Sequence, residues 1–163
     1  MDEQGWDVVV VGAGNAGMSA AHAARERGAR VLVLEKADRA WAGGNSAFTA
    51  GAIRTVHGGV EDLRDLLEGV DDELAARTDL DPYTAEAFLA DMRRVTLGRG
   101  DEAMARILVE DSHAAVRWLH ERGLRFRLMY ERQSYAVGDR HRFWGGLAVG
   151  TVDGGVHRLR LRG

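Results

Sequence analysis

The sequence predicts an α/β fold that begins with a parallel βαβ unit. The run "DVVVVG" at 7–12 has the length and β-branched composition of a strand buried on both faces of a parallel sheet. The alanine-rich stretch at 15–28 predicts a helix that Gly28 ends, and "RVLVLE" at 30–35 predicts a second buried strand. Strand, glycine turn, helix and strand in close succession form a βαβ unit with a right-handed crossover.

Helices are predicted after this unit. A helical region begins at 60 and extends to 77, and a second helix occupies 82–97, with Asp81 as its N-cap and Pro82 at its first position. A third helix is predicted at 101–122. The spacing of its large apolar residues predicts a single buried stripe, formed by Met104, Ile107, Leu108, Ala115, Trp118 and Leu119.

The remaining segments are a strand and two glycine-rich stretches. "LRFRLMYE" at 124–131 alternates as a strand does, 39–59 is predicted as a glycine-rich loop, and the sequence is glycine-rich again at 135–155. The tail at 156–163 has three arginines and alternating leucines, a pattern that is not amphipathic at helical spacing. The chain is therefore divided into three parts, at 1–59, 60–134 and 135–163.

Composition limits the classes of function. The 22 basic and 25 acidic residues give a net charge of −3, so no overall nucleic-acid footprint is present. The absence of cysteine excludes disulfides, thiolate metal sites and cysteine nucleophiles, and it favours a cytoplasmic location. No spacing of residues matches a metal site, and the uncharged run at 8–24 is too short and too interrupted for a transmembrane segment. The 21 glycines beside one proline indicate tight turns against a ligand.

A dinucleotide fingerprint follows the first strand. The segment "GAGNAG" at 12–17 fits G-x-G-x-x-G and opens the helix. Glu35, at the end of the second strand, lies 23 residues after Gly12. The first glycine permits the turn, the second lets a pyrophosphate approach the backbone, and the third lets helix and strand pack closely. Glu35 would accept hydrogen bonds from a ribose, and its charge disfavours NADP. The predicted cofactor-binding residues here are Gly12, Gly14, Asn15, Ala16, Gly17, Glu35 and Lys36.

The fingerprint alone does not separate FAD from NAD. A nicotinamide-binding domain would continue into another βα unit, whereas this chain continues into the glycine-rich stretch at 39–59. The segments "VVVVGAGNAG", "VLVLEKADRAWAGGNSAFTAGAIR" and "FLADMRRVTLGRGDEAMARILVEDSHAAVRWLHERGLRF" resemble FAD-dependent flavoproteins of the fumarate reductase and succinate dehydrogenase superfamily, and within it tricarballylate dehydrogenase-like proteins. The resemblance implies a Rossmann-like FAD-binding unit whose loop follows the cofactor. Gly43, Gly44, Asn45 and Ser46 match positions at the pyrophosphate and flavin side, and Gly51 and Ala52 match positions beside the isoalloxazine ring.

The resemblance also implies an activity. It is the oxidation of a carbon–carbon bond beside carboxylates by hydride transfer to the flavin, with tricarballylate to aconitate favoured and a fumarate or succinate substrate next. An electron-transfer partner protein is implied as well. Members of the family are considerably longer, so 135–163 is expected to begin a substrate-capping region and the chain is expected to be an N-terminal fragment. The alternatives are a truncated, non-catalytic fragment that retains at most FAD or ADP binding, and a stand-alone NAD-binding module.

Five residues are candidate contacts for a carboxylate substrate. Arg54 and His57 follow the first glycine-rich stretch, and a guanidinium there would bind a carboxylate in bidentate fashion. Arg140, His141 and Arg142 lie between glycines beside two aromatic residues. Three successive residues of a strand cannot all point the same way, so only some of them can serve. Solvated side chains without a ligand are the alternative interpretation, and no residue is assigned as the catalytic base.

Overall fold

The computed structural model describes residues 5–154 and divides the chain into two compact units. Among the described residues, the first unit contains 5–51 and 153–154, and the second contains 52–152. The tail at 156–163 lies outside the described residues. No helix within residues 5–154 is long and apolar enough to cross a membrane.

The first unit is the predicted βαβ unit. Strand β1 (Val8–Val11), helix α1 (Asn15–Glu26) and strand β2 (Val31–Leu34) follow one another, and the two strands are parallel. Alanine-rich sequence favours the helix, and Gly28 ends it in a left-handed conformation with φ +82°. This confirms the α/β fold predicted from the sequence.

The prediction that both strands are buried on both faces is wrong. Val9 is 52 % exposed and Val11 is 82 % exposed, whereas Val8 and Val10 are partly buried. The reason is that β1 and β2 form a two-stranded sheet in the part of the chain that the structure describes, and α1 packs on one of its faces. The outward valines therefore have no covering layer among these residues.

The stretch at 39–59 is more ordered than the predicted loop. A 3₁₀ helix spans Gly44–Phe48, and Gly43 precedes it with φ +114°. Strand β3 (Ala52–Ile53) then opens the second unit. The positive φ angle explains why glycine occupies position 43, because residues with a side chain seldom adopt that conformation.

The predicted helical region from 60 to 77 is two short helices. Helix α2 (Val60–Leu63) continues as a 3₁₀ turn at Arg64–Leu66, and helix α3 (Asp72–Ala76) begins only after Gly69, whose φ is +76°. A left-handed residue interrupts a helix, which explains the break. Strand β4 (Thr78–Asp79) follows α3.

Helix α4 (Ala85–Thr96) begins later than predicted. Its N-cap is Thr84, whose hydroxyl accepts a hydrogen bond from the Ala87 N–H at 3.2 Å. Asp81 is not the cap, because Tyr83 forms an antiparallel bridge with His57 in which each backbone N–H donates to the other residue's carbonyl. Extended backbone at Tyr83 prevents the helix from starting at Pro82.

Helix α5 (Glu102–Glu121) has the predicted bounds, and the Asp101 side chain caps it by accepting from the Met104 N–H at 2.9 Å. The predicted apolar stripe is wrong. The buried residues are Val109, Ser112 and Val116, whereas Met104 is 67 % exposed. The helical periodicity is compatible with either apolar face of α5 being buried. In the structure, the face with the smaller residues packs against the core. The exposed apolar residues of α5 also include Ile107 and Leu108.

The rest of the second unit is built from short strands. Residues 124–131 contain strand β5 (Phe126–Leu128) and the start of helix α6 (Tyr130–Gln133), so the predicted strand is shorter than expected. The glycine-rich stretch at 135–155 contains most of a hairpin and a further strand. These are β6 (Ser134–Val137), β7 (Arg140–Phe143) and β8 (Val149–Thr151).

Two three-stranded sheets hold this unit together. One has the order β3–β8–β5 and is antiparallel, and the other has the order β4–β7–β6. The largest fully buried side chains form a core around the first sheet. They include Leu63, Leu66, Val116, Phe126, Leu128 and Val149.

Candidate functional site

The glycine turn between β1 and α1 has the close packing that its sequence predicts. Gly12 has φ +96°, and its N–H donates to the Leu34 carbonyl at 2.7 Å. A Cβ built on Gly17 would lie 2.0 Å from the Gly12 carbonyl oxygen and 3.2 Å from Cγ1 of Val10. Only glycine therefore lets α1 approach the first strand this closely, as the fingerprint requires.

The N-terminus of α1 offers unpaired donors. The backbone N–H groups of Ala16 and Gly17 have no hydrogen-bond acceptor within residues 5–154, and Gly14 caps the helix without a side chain. A Cβ on Gly14 would stand at ordinary contact distance, 3.5 Å from the Gly43 carbonyl oxygen. Unpaired amides at a helix N-terminus and an open approach over a glycine are the two features that a pyrophosphate needs. The turn fits a dinucleotide.

Glu35 is tied to the same turn. Its Oε2 accepts from the Ala13 N–H at 2.9 Å, and its Oε1 accepts from the Ala37 N–H at 2.9 Å. These backbone hydrogen bonds, that from Ala37 first, lower the pKa of the Glu35 carboxyl below its usual value. An ionised carboxylate has about four acceptor positions, so capacity remains for ribose hydroxyls. Sequence spacing predicted a ribose contact at this residue, but not its hydrogen bond to the turn.

The segment after β2 returns to the glycine turn. The Ser46 hydroxyl accepts from the Asn15 N–H at 3.1 Å, at the start of α1. Gly43 lies against Gly14, as the Cβ distance above shows. Among the other predicted cofactor residues, Lys36, Gly44 and Asn45 are exposed, Gly51 is buried with φ +71°, and Ala52 begins β3 in the second unit.

Arg54 is held by an aromatic and acidic cluster in the second unit. Its Nη1 donates to the Tyr83 hydroxyl and to Oδ2 of Asp91, both at 2.8 Å. Its Cζ lies 5.5 Å from the centre of the Tyr83 ring and 5.7 Å from that of Phe88. The Tyr83 hydroxyl in turn donates to Asp91 Oδ2 at 2.8 Å.

The cluster fixes the protonation of its members. Burial raises the pKa of the Tyr83 hydroxyl, so it stays a neutral donor. Hydrogen bonds from Arg94 and Tyr83, in that order, lower the pKa of the Asp91 carboxyl. Asp91 is therefore ionised at neutral pH. Tyr83 and Asp91 were not predicted as site residues, because they lie 29 and 37 residues from Arg54 and no local pattern connects them to it.

His57 is buried rather than open to a ligand. It is 5 % exposed, and its Nδ1 accepts from the Gly59 N–H at 3.3 Å, which puts the proton on Nε2. That Nε2 has no partner within residues 5–154. Burial lowers the pKa of the imidazole, and His113 adds to the effect while Asp62 opposes it. His57 is therefore neutral at neutral pH.

The three candidates on β7 point to different surroundings. Arg140 donates from Nε and Nη2 to Asp79, at distances of 2.6 to 3.1 Å, and from Nη1 to the Ala76 carbonyl at 2.8 Å. His141 meets the edge of the Tyr130 ring, with the ring centres 5.0 Å apart. Arg142 is exposed. Arg140 has every guanidinium nitrogen engaged.

No group of three or more His, Cys, Asp or Glu side chains in the described part of the chain is arranged to hold a metal ion.

Comparison with known proteins identifies the class of this domain. The family model described as FAD binding domain matches residues 7–159. A probable fumarate reductase, Ifc3, of Shewanella frigidimarina is 32 % identical over 143 residues, which are 88 % of this chain and 21 % of that protein. The NADH:fumarate oxidoreductase of Klebsiella pneumoniae is 28 % identical over 160 residues, which are 97 % of this chain and 16 % of that protein.

A solved structure agrees with these relatives. The open conformation of a flavocytochrome c3 fumarate reductase superposes with a TM-score of 0.55 and 30 % identity, over 92 % of this chain and 23 % of that one. The chain thus spans about a fifth of the length of the curated relatives it matches.

Proposed function

This chain belongs to the FAD binding domain family, and on that premise we propose that it serves an FAD-dependent oxidoreductase of small carboxylates. Membership confirms FAD as the cofactor predicted from the sequence. It also confirms the superfamily of fumarate reductase and succinate dehydrogenase flavoproteins. The observation that carries the proposal is the glycine turn, whose unpaired amides and Cβ-free approach suit a pyrophosphate.

Different residues of the first unit would bind different parts of FAD. The N–H groups of Ala16 and Gly17 would donate to phosphate oxygens, and Gly14 would leave room for the phosphate to approach. Glu35 would accept from the ribose hydroxyls while it keeps the turn in place. The segment from Gly43 to Ser46 would contact the cofactor on its pyrophosphate and flavin side. When bound, FAD supplies the flavin that accepts a hydride from a carbon–carbon bond beside a carboxylate.

The favoured substrate is tricarballylate, oxidised to aconitate, with succinate or fumarate next. Two curated relatives are named for fumarate, which supports a carboxylate substrate. Arg54 and Arg142 are the favoured contacts, because every guanidinium nitrogen of Arg140 is already engaged by Asp79 and Ala76. His57 is less suited because its ring is buried, and His141 is less suited because its ring packs against Tyr130. A cytoplasmic location and a separate electron-transfer protein belong to the same proposal.

A second candidate is cofactor binding without turnover. It is supported by the glycine turn, whose unpaired amides suit a pyrophosphate whether or not a substrate is bound. In that case FAD or ADP binds to the first unit and no substrate is oxidised. The predicted three-part division at 1–59, 60–134 and 135–163 stays a prediction.

One experiment separates these functions. The purified chain is saturated with FAD, passed through gel filtration and mixed with tricarballylate under anaerobic conditions. Retained yellow colour that bleaches on addition of tricarballylate supports the oxidoreductase, whereas retained colour without bleaching by tricarballylate or succinate supports cofactor binding alone. A colourless protein after gel filtration contradicts the oxidoreductase, and if a titration with ADP shows no binding either, cofactor binding alone is contradicted as well.

A further inference from the structure

We propose that Tyr83 and Asp91 are positioning residues that hold Arg54 so that the Nε–Nη2 edge of its guanidinium binds a substrate carboxylate. The inference rests on the proposed function, because it names the group that recognises the carboxylate. It concerns only residues of the second unit.

The hydrogen bonds of Arg54 leave one edge of its guanidinium open. Both bonds, to Tyr83 and to Asp91, use the same nitrogen, Nη1. Nε and Nη2 have no hydrogen-bond partner in the range 5–154, and the side chain is 34 % exposed. Nε and Nη2 carry parallel N–H bonds at the spacing of two carboxylate oxygens, so this edge is suited to a bidentate contact.

Two other arginines of the unit use this edge on their own carboxylates. Arg140 uses Nε and Nη2 on Asp79 and Nη1 on a carbonyl. Arg93 uses Nε and Nη2 on the two oxygens of Glu102, each at 2.7 Å. Arginine–carboxylate pairs are frequently bidentate in this way. Arg54 instead binds Asp91 through one nitrogen, which it shares with the Tyr83 hydroxyl.

The guanidinium is also held in orientation. It lies within 6 Å of the centres of two buried rings, Tyr83 and Phe88. The Tyr83 ring rests on the backbone of Gly146, where a Cβ would stand 2.3 Å from the ring. The main chain of Tyr83 is paired with that of His57 through two hydrogen bonds. A donor that is already ordered loses less entropy when a ligand binds, which raises affinity.

The charge of the cluster favours an anion. Asp91 gives Oδ2 to Arg54 and Oδ1 to Arg94, both at 2.8 Å, so one carboxylate is shared by two guanidinium groups. The three side chains together carry a net charge of +1. Tyr83 stays protonated and links Arg54 to Asp91 without changing that charge. A carboxylate at the free edge therefore meets positive charge.

The test follows the Arg54 side chain directly. The full chain, with its arginines labelled with ¹⁵N, is titrated with tricarballylate, and the Nε–H signal of Arg54 is identified by its absence in Arg54→Lys. We expect a saturable shift of that signal in the unaltered chain. In Tyr83→Phe, which keeps the ring on Gly146 but removes the hydroxyl, we expect the affinity to fall by about tenfold, because one hydrogen bond to a charged group is lost.

Asp91→Asn separates positioning from simple charge. Removing a negative charge would strengthen the binding of an anion if Asp91 acted only electrostatically, whereas loss of positioning weakens it by about tenfold. Glu102→Gln is the matched control, since it removes one negative charge from a neighbouring ion pair that does not contact Arg54. We expect that control to bind tricarballylate at least as tightly as the unaltered chain. Backbone amide spectra establish that each variant is folded.

Two results overturn the proposal. One is an Arg54 signal that does not respond to tricarballylate, and the other is unchanged or tighter binding in folded Tyr83→Phe and Asp91→Asn. FAD retention is measured on the same samples. Retention without an Arg54 response rejects this inference and leaves the cofactor function, whereas an Arg54 response without FAD retention rejects the proposed oxidoreductase.

Discussion

Alanine at Gly17 should separate helix α1 from strand β1, whereas alanine at Gly14 should not. The new Cβ at position 17 would lie 2.0 Å from the Gly12 carbonyl oxygen, where an ordinary contact begins at 3.4 Å. The distance is therefore about 1.4 Å too short, and both the new Cβ and the Gly12 oxygen are attached to backbone that cannot rotate away. The first turn of α1 must move by about 1.4 Å. Overpacking of this kind costs about 1–3 kcal/mol, and the upper end applies because no flexible side chain can yield.

Alanine at Gly14 changes the ligand site and leaves the fold. Its Cβ would lie 3.5 Å from the nearest backbone atom, and the residue has φ −74°, which any residue adopts. We expect the free energy of unfolding to stay within about 0.5 kcal/mol of the unaltered chain. The affinity for FAD should nevertheless fall, because the methyl group occupies the approach of the pyrophosphate.

The assay measures both quantities for each variant. Urea denaturation gives the free energy of unfolding, and quenching of flavin fluorescence gives the affinity for FAD. We expect Gly17→Ala to lose about 3 kcal/mol of stability and FAD binding with it, and Gly14→Ala to lose FAD binding alone. Gly5→Ala is the control, since nothing lies within 4 Å of its added Cβ. A Gly17→Ala chain as stable as the unaltered protein would refute this packing argument.

Three further predictions concern the second unit. Gly146→Ala drives a Cβ to 2.3 Å from the Tyr83 ring and should lower stability by about 1–3 kcal/mol, seen as a lower Tm; an unchanged Tm would contradict it. Burial lowers the pKa of His57 below its usual 6.5, so the unfolded chain binds the proton more readily and stability should fall as pH decreases from 6.5 towards the folded pKa. Urea midpoints measured against pH should show this slope, and His57→Gln should reduce it. Ser112→Ala removes the hydroxyl that accepts the Val56 N–H at 3.0 Å and should cost about 1–3 kcal/mol in urea unfolding; a loss below about 0.5 kcal/mol would show that the amide finds another acceptor.

The first unit was the more predictable of the two because its signals are local. The strand, turn, helix and strand follow one another within 35 residues, and each is specified by its own composition. The bounds of α5 were predicted for the same reason, since the glycines that flank the helix are adjacent to it in sequence. Burial was not, because whether Val9 and Val11 are covered depends on which layers surround the sheet.

In the second unit, distant pairing overrode local patterns. Pro82 is a good first helical residue, yet the bridge between Tyr83 and His57 keeps the chain extended to Thr84. The apolar residues of α5 occupy more than one face, so periodicity alone did not identify the buried one.

The candidate site divides in the same way. The spacing of the motif predicted the glycines and Glu35 as candidate site residues, because the dinucleotide fingerprint is a local sequence motif with a fixed geometry. Arg54 was found as a residue type, but its partners Tyr83 and Asp91 were not, since they meet it only in the folded chain.

The central claim is that this chain binds FAD through the glycine turn and the N-terminus of α1. Titration of the purified chain with FAD, followed by competition with ADP, tests it most directly. We expect saturable binding of one FAD per chain, displaced by ADP and weakened by Gly14→Ala while the variant remains folded. Binding that is indifferent to ADP and unchanged in Gly14→Ala, or no binding of FAD by the folded chain, would contradict it.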